Sequence, residues 1–255
     1  LGFSIDEDGE GVYLYDTLAN GGGLIDSVTF GEQLGDLSIG RVGAEREWTL
    51  NTPTFGVANT SHTLDNPANV IINEWFADGD ILFTDDFIEL YNPGNEPVNI
   101  GGLYITDDLA AYPTRHQITP LTFVRPSGYH VLSADGDIEK GAKHLNFKLS
   151  YDQEMITLLD PQLREIDSVI YYSQSTDVSQ GRTPDAGTDF AYFDLPTPGA
   201  LNMLRTVDVT TTPQGEIFPV VTSWYYYTGT YPGATCKDHS YNDSVWPTRN
   251  AVLYI

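Results

Sequence analysis

The sequence predicts an all-β protein built of sandwiches, and three observations predict it. Short alternating or apolar runs recur along the chain, Gly, Pro, Asn and Asp clusters separate them, and helical periodicity over ten or more residues is hard to find. The runs include VYLY (Val12–Tyr15), DFIELY (Asp86–Tyr91), LYIT (Leu103–Thr106), YHVLS (Tyr129–Ser133) and MITLLD (Met155–Asp160). In FIELYN, Phe87, Glu89 and Tyr91 share one face while Ile88 and Leu90 share the other, so one face is expected to turn inward. Asn92-Pro93-Gly94-Asn95 reads as a turn, because proline fixes φ and Gly or Asn accepts positive φ. Gly101-Gly102 allows a bend into the next strand. Two sheets closing over such strands give a sandwich.

The tetrapeptide IDSV occurs at Ile25–Val28 and again at Ile166–Val169, and its surroundings repeat in order. Leu1–Ile5 aligns with Leu145–Leu149, and Val12, Leu14 and Asp16 with Ile156, Leu158 and Asp160. Asp36, Ser38, Gly40 and Arg41 meet Asp177, Ser179, Gly181 and Arg182, and PTFGVAN (Pro53–Asn59) meets PTPGALN (Pro196–Asn202). Ordered matches with indels confined to turns are expected of divergent copies of one domain. The predicted organisation is the C-terminal half of one copy over 1–59, a linker over 60–69, a complete copy over 70–204, a connector over 205–222 and a further β segment over 223–255. Roughly 75 residues of the first copy are then expected upstream of Leu1. The absent initiator methionine and an end within an apolar run (Val252–Ile255) read as a fragment of a longer polypeptide.

Composition bounds the function. The chain has 255 residues and a formal charge of −24, from 36 acidic against 12 basic residues. That balance opposes nucleic-acid binding through phosphate neutralisation and opposes anionic membranes. No run of about 18 apolar residues is present, so no membrane insertion is expected. The lone Cys236 excludes an internal disulfide.

From Val70 the elements INE, DFIELYNPG and GLYITDD, followed by GYHVLSADGD, LNFKLS, the IDSV strand, SQGR and PTPGALN, resemble the bacterial lamin-tail domain. That resemblance implies immunoglobulin-like β-sandwiches, here in tandem. It also implies an extracellular or cell-envelope setting in large multidomain proteins. The segment from Ser223, with SYNDSVWP (Ser240–Pro247), resembles the start of a galactose-binding-like jelly-roll domain. The two resemblances together imply non-catalytic modules for spacing, adhesion or ligand presentation, with an extracellular polysaccharide or protein as partner. The alternatives are targeting modules of a secreted hydrolase whose catalytic domain lies elsewhere, and a calcium-dependent carbohydrate-binding module.

Acidic residues beside glycine are the main candidates for chemistry. Asp78, Asp80, Asp85, Asp86, Asp135 and Asp137 are candidate Ca²⁺ ligands, since calcium takes six to eight oxygens. Turns select the same residue types on their own, and that reading is preferred. Counting an EF-hand loop from Asp78 puts Leu82 and Phe83 where an oxygen ligand and a glycine belong. Beyond calcium, no cofactor is expected. The five histidines form no HExxH or HxH pattern, and no GxSxG elbow exists, so zinc and a serine nucleophile are not expected. Glu74 and Glu89 are a paired-carboxylate candidate for glycoside chemistry, with a hydrogen-bonded structural role preferred. Arg41 and Arg182, repeated in SxGR, could contact a ligand through a planar fork, with a structural ion pair or backbone clamp preferred. Trp224, Tyr225, Tyr226, Tyr227 and Tyr231 suit a core face better than a sugar platform.

Overall fold

The computed structural model describes residues 2–204 and the backbone of the strands Ser223–Tyr225 and Thr248–Asn250. Residues 1–205 form one compact unit and residues 206–255 a second. In the second unit, Ser223–Tyr225 and Thr248–Asn250 pair antiparallel. The rest of the expected jelly-roll start, the connector and the aromatic cluster lie outside the described residues.

The first unit is all-β. Its strands are β1 (Glu10–Tyr15), β2 (Leu24–Phe30), β3 (Ser38–Val42), β4 (Glu47–Thr52), β5 (Thr60–Ser61), β6 (Ile71–Phe76), β7 (Phe87–Asn92) and β8 (Val98–Asn99). They continue as β9 (Tyr104–Thr106), β10 (His116–Gln117), β11 (Phe123–Val124), β12 (Gly128–Ser133), β13 (Glu154–Leu159), β14 (Glu165–Tyr171), β15 (Ser179–Arg182) and β16 (Phe190–Phe193). The predicted runs all carry strands. A five-stranded sheet in the order β12-β7-β6-β15-β16 and a four-stranded sheet in the order β10-β9-β13-β14 make up the sandwich.

Between the sheets lies one apolar cluster that includes Ile72, Trp75, Ile88, Leu90, Leu132, Ile156, Leu158 and Tyr171. Fully burying such a side chain is worth about 1.5–3 kcal/mol, which makes the alternation of β7 and β13 decisive for register. Trp75 stacks on Tyr171 at 5.8 Å between ring centroids and meets Phe190 edge-on at 5.6 Å.

Two sequence expectations need adjustment. The first is the two-faced alternation of FIELYN: Phe87, Glu89 and the core residues Ile88 and Leu90 are all buried, so both faces of β7 are covered here. The second concerns Thr60–Ser61, expected within the linker, which pairs with β4 as β5. The turn after β7 behaves as expected. The Asn92 side chain accepts from the Gly94 N–H at 2.9 Å and donates to the carbonyls of Glu96, Val124 and Arg125.

Residues 2–61 contribute the hairpin β1-β2 and the sheet β3-β4-β5. Phe30 and Leu50, flanked by Val12, Val28, Ile39 and Trp48, gather around Leu121 and Phe123 of the sandwich. Backbone bonds tie the same contact: Gly31 N–H donates to Pro120 O at 3.0 Å and Phe123 N–H to Glu32 O at 3.1 Å. The far end of the hairpin, with Leu14, Tyr15, Leu24 and Ile25, stays exposed.

Candidate functional site

Glu74 and Glu89 are direct register partners on neighbouring strands at the centre of the five-stranded sheet, and both are fully buried. Two like charges side by side in an apolar setting are costly, so the positions demand local donors. The segment Pro196–Asn202 supplies most of them. Glu74 accepts from the Thr197 N–H at 3.0 Å and from the Ser179 hydroxyl at 2.5 Å, and the Thr197 hydroxyl oxygen lies 3.0 Å from its second oxygen. Glu89 accepts from the Gly199 N–H at 2.6 Å and from the Asn73 amide at 3.0 Å. Asn202 completes the latch, donating to Asn73 O and Arg182 O at 3.2 and 2.9 Å. Gly199 adopts φ 79°, a conformation that costs glycine little. Burial pushes the Glu89 carboxyl up to about 8 against the pull of the Asn73 and Gly199 donors, and the Glu74 and Asp185 charges push the same way. Glu74 is also raised, mainly by burial.

Glycoside chemistry needs two carboxyls flanking a bond in a reachable cleft. Here both carboxyls are sealed under the chain and accept bonds from the protein's own donors, so they fasten a terminal segment. The sequence named Glu74 and Glu89 but did not reveal Asn73, Asp185, Thr197 and Asn202. The recurrence of PTPGALN was the one signal for part of that set.

The acidic candidates separate into local structures. The Asp177 carboxylate caps the loop after β6, accepting from the N–H groups of Asp80, Ile81 and Leu82 at 3.0–3.1 Å. Asp78 accepts from the Thr176 hydroxyl at 2.8 Å, and Asp85 is exposed. Asp86 accepts from the Leu149 N–H at 3.3 Å, and burial lifts its carboxyl to about 6. Asp135 is buried and accepts from Lys140 Nζ at 2.7 Å, His144 Nδ1 at 2.9 Å and the Asp137 N–H at 3.0 Å. Burial alone would raise its carboxyl, but these donors outweigh it and hold it at about 2. Asp137 accepts from the Glu139 N–H at 3.3 Å. Among the described residues, no three His, Cys, Asp or Glu side chains gather as a metal site.

One strand histidine, His130 of β12, makes a long-range contact. His130 is buried, with Nδ1 at 2.6 Å from Glu32 of the first segment. No local pattern announces that pairing, because 98 residues separate the two side chains.

The repeated arginines form the expected ion pairs. Arg182 Nη2 reaches Asp167 at 3.0 Å, and Arg41 Nη2 reaches Asp26 at 2.8 Å. In the sandwich this pair grips β6 at one residue: Ile72 N–H donates to Asp167 at 2.8 Å, and Arg182 Nε donates to Ile72 O at 2.9 Å. The Arg182 guanidinium also lies 4.9 Å over the Phe190 ring.

Residues 64–173 match the family model of the Lamin Tail Domain. That stretch is a lamin tail domain. No curated protein and no solved structure matches the chain. Strands beyond that stretch complete the sandwich: β15 and β16 extend the sheet that β6 and β7 begin, and the latch segment closes over it. The lamin tail domain is a β-sandwich of a generally non-catalytic family.

Proposed function

We propose that this chain is a non-catalytic spacing and presentation part of a larger secreted or cell-surface protein. Its surface would meet an extracellular polysaccharide or protein. One observation carries the reading: Glu74, Glu89, Arg182 and Asp135, the groups best suited to chemistry, are each occupied in holding strands and loops together. A rigid sandwich with a fastened terminal segment suits an element that transmits position between neighbours. The charge of −24 keeps such a surface solvated and repels anionic polymers such as nucleic acids.

Protease shaving of intact cells of the producing organism tests this. Peptides from exposed segments such as Leu18–Gly23 or Ala110–Tyr112 should appear in the released fraction while a cytoplasmic marker stays inside. Their recovery only after cell lysis would sink the surface reading.

A further inference from the structure

We propose that residues 2–59 are the second half of another lamin tail sandwich. Its first half would be a segment of the type of residues 70–144, docking against them from immediately upstream in the same polypeptide. The proposal rests on a comparison inside the molecule, position by position.

The hairpin β1-β2 has the register of β13-β14. Val12 pairs with Val28 as Ile156 pairs with Val169, and Leu14 with Asp26 as Leu158 with Asp167. Both hairpins shift register at the same step, Leu14/Tyr15 in one and Leu158/Leu159 in the other. Asp36 and Asp177 both take positive φ, at 62° and 60°, and so do Gly56 and Gly199, at 72° and 79°. The Arg41–Asp26 pair matches Arg182–Asp167, and Arg41 lies 4.6 Å over Trp48 as Arg182 lies over Phe190. Thr54 donates to Asn59 at 2.9 Å, and Asn59 donates to Arg41 O at 3.0 Å. Thr197, Asn202 and Arg182 O form the same chain of bonds.

What differs is what the first half would supply. Leu14 is 57% exposed where Leu158 is fully buried, and Phe3 is 67% exposed where Phe147 is 2% exposed. Among the described residues, strand β1 has an open edge where β13 pairs with β9, and β3 has one where β15 pairs with β6. Most telling is Arg41 Nε, which is buried without a partner among the described residues, whereas the equivalent Arg182 Nε donates to Ile72 O of β6. A buried unpaired donor of this kind is costly, and a strand carbonyl would relieve it. The Asp26–Arg41 pair is thus a strand clamp of the same make as the one that holds β6, with no strand of the described residues in it. Its occupant is a β-strand added at the free edge of β3. By analogy with Glu74 and Glu89, the occupant carries two carboxyls, which would accept from the Thr54 and Gly56 N–H groups.

To test this, residues 64–144 are fused ahead of the full chain so that His144 is followed directly by Leu1. This reproduces the junction His144–Leu145. Hydrogen exchange is then read for the amides facing the open edges of β1 and β3, in fused and unfused chains. At least about tenfold slower exchange is expected in the fused chain. Arg41→Lys, which keeps the charge but removes the Nε donor, is expected to reduce the added protection at β3. Unchanged exchange in the fused chain overturns the proposal. So does protection of the same amides in the unfused chain that grows with protein concentration, which would assign the surface to a second copy.

Discussion

Replacing Glu89 by glutamine should make stability respond to pH in the opposite sense from an ordinary loss of a buried contact. Glu89 is fully buried, and its carboxyl is raised from the ordinary 4.5 to about 8, by burial first and by the Glu74 and Asp185 charges in addition. Its folded-state pKa is therefore above its unfolded one. The folded protein keeps the proton where the unfolded chain has lost it, so the stabilising effect is full below about pH 4.5 and is lost as pH rises towards 8. A pKa unit is worth a little more than 1 kcal/mol, which puts the loss at roughly 5 kcal/mol across the window. Glu89→Gln removes that slope. It also sets an NH₂ against either the Gly199 N–H or the Asn73 amide, leaving one donor unsatisfied at a pH-independent cost of about 1–3 kcal/mol. The variant should be the weaker protein near pH 4.5, draw level as pH rises, and be the more stable near pH 8. Urea denaturation at half-unit pH steps, followed by far-UV circular dichroism, reads the difference directly. Slopes shared by both proteins, such as that from Asp86, largely cancel. Parallel stability curves for the two proteins from pH 5 to 8 would refute the reasoning.

Further predictions follow from single contacts. Leu158→Ala should cost about 2–5 kcal/mol by urea denaturation, whereas Leu14→Ala at the matching position should cost well under 1 kcal/mol, because only Leu158 is buried. Arg182→Met should destabilise by about 3–5 kcal/mol, since it leaves Asp167 and Ile72 O without their partner inside the sheet edge. A loss below about 1 kcal/mol would show that the clamp on β6 is dispensable. Asp135 has a depressed carboxyl, so its contribution is present above about pH 4 and fades as pH falls towards 2. Acid unfolding curves of wild type and Asp135→Asn should accordingly converge near pH 2. Calcium titration of the chain should give no saturable heat and no rise in melting temperature, because Lys140 and backbone N–H groups already occupy the carboxylates of these loops. Saturable heat with a raised melt would place a cation site there.

Local chemistry explains why so much of the fold could be read in advance. Strands such as FIELYN and MITLLD carry their register in an alternation of period two, and the turn after β7 carries its geometry in Asn92 and Gly94. The Arg–Asp pairs were legible because the chain writes IDSV and SxGR twice, so an internal comparison stood in for relatives. The acidic loops were ambiguous for a physical reason: a carboxylate beside glycine suits a turn, a cap or a cation equally well until its donors are known.

The sequence by itself determined the all-β class and the strand positions, since these follow from residue type and spacing, and its motifs marked the lamin tail segment by resemblance. Only the tertiary structure decided the rest. It closed Pro196–Asn202 over Glu74 and Glu89, set Lys140 against Asp135, and brought Glu32 to His130. Several of these contacts join residues about 100 positions apart, and no local propensity encodes them. They exist because two sheets must bury their apolar faces together, and that closure dictates which polar groups are stranded and which distant donors reach them.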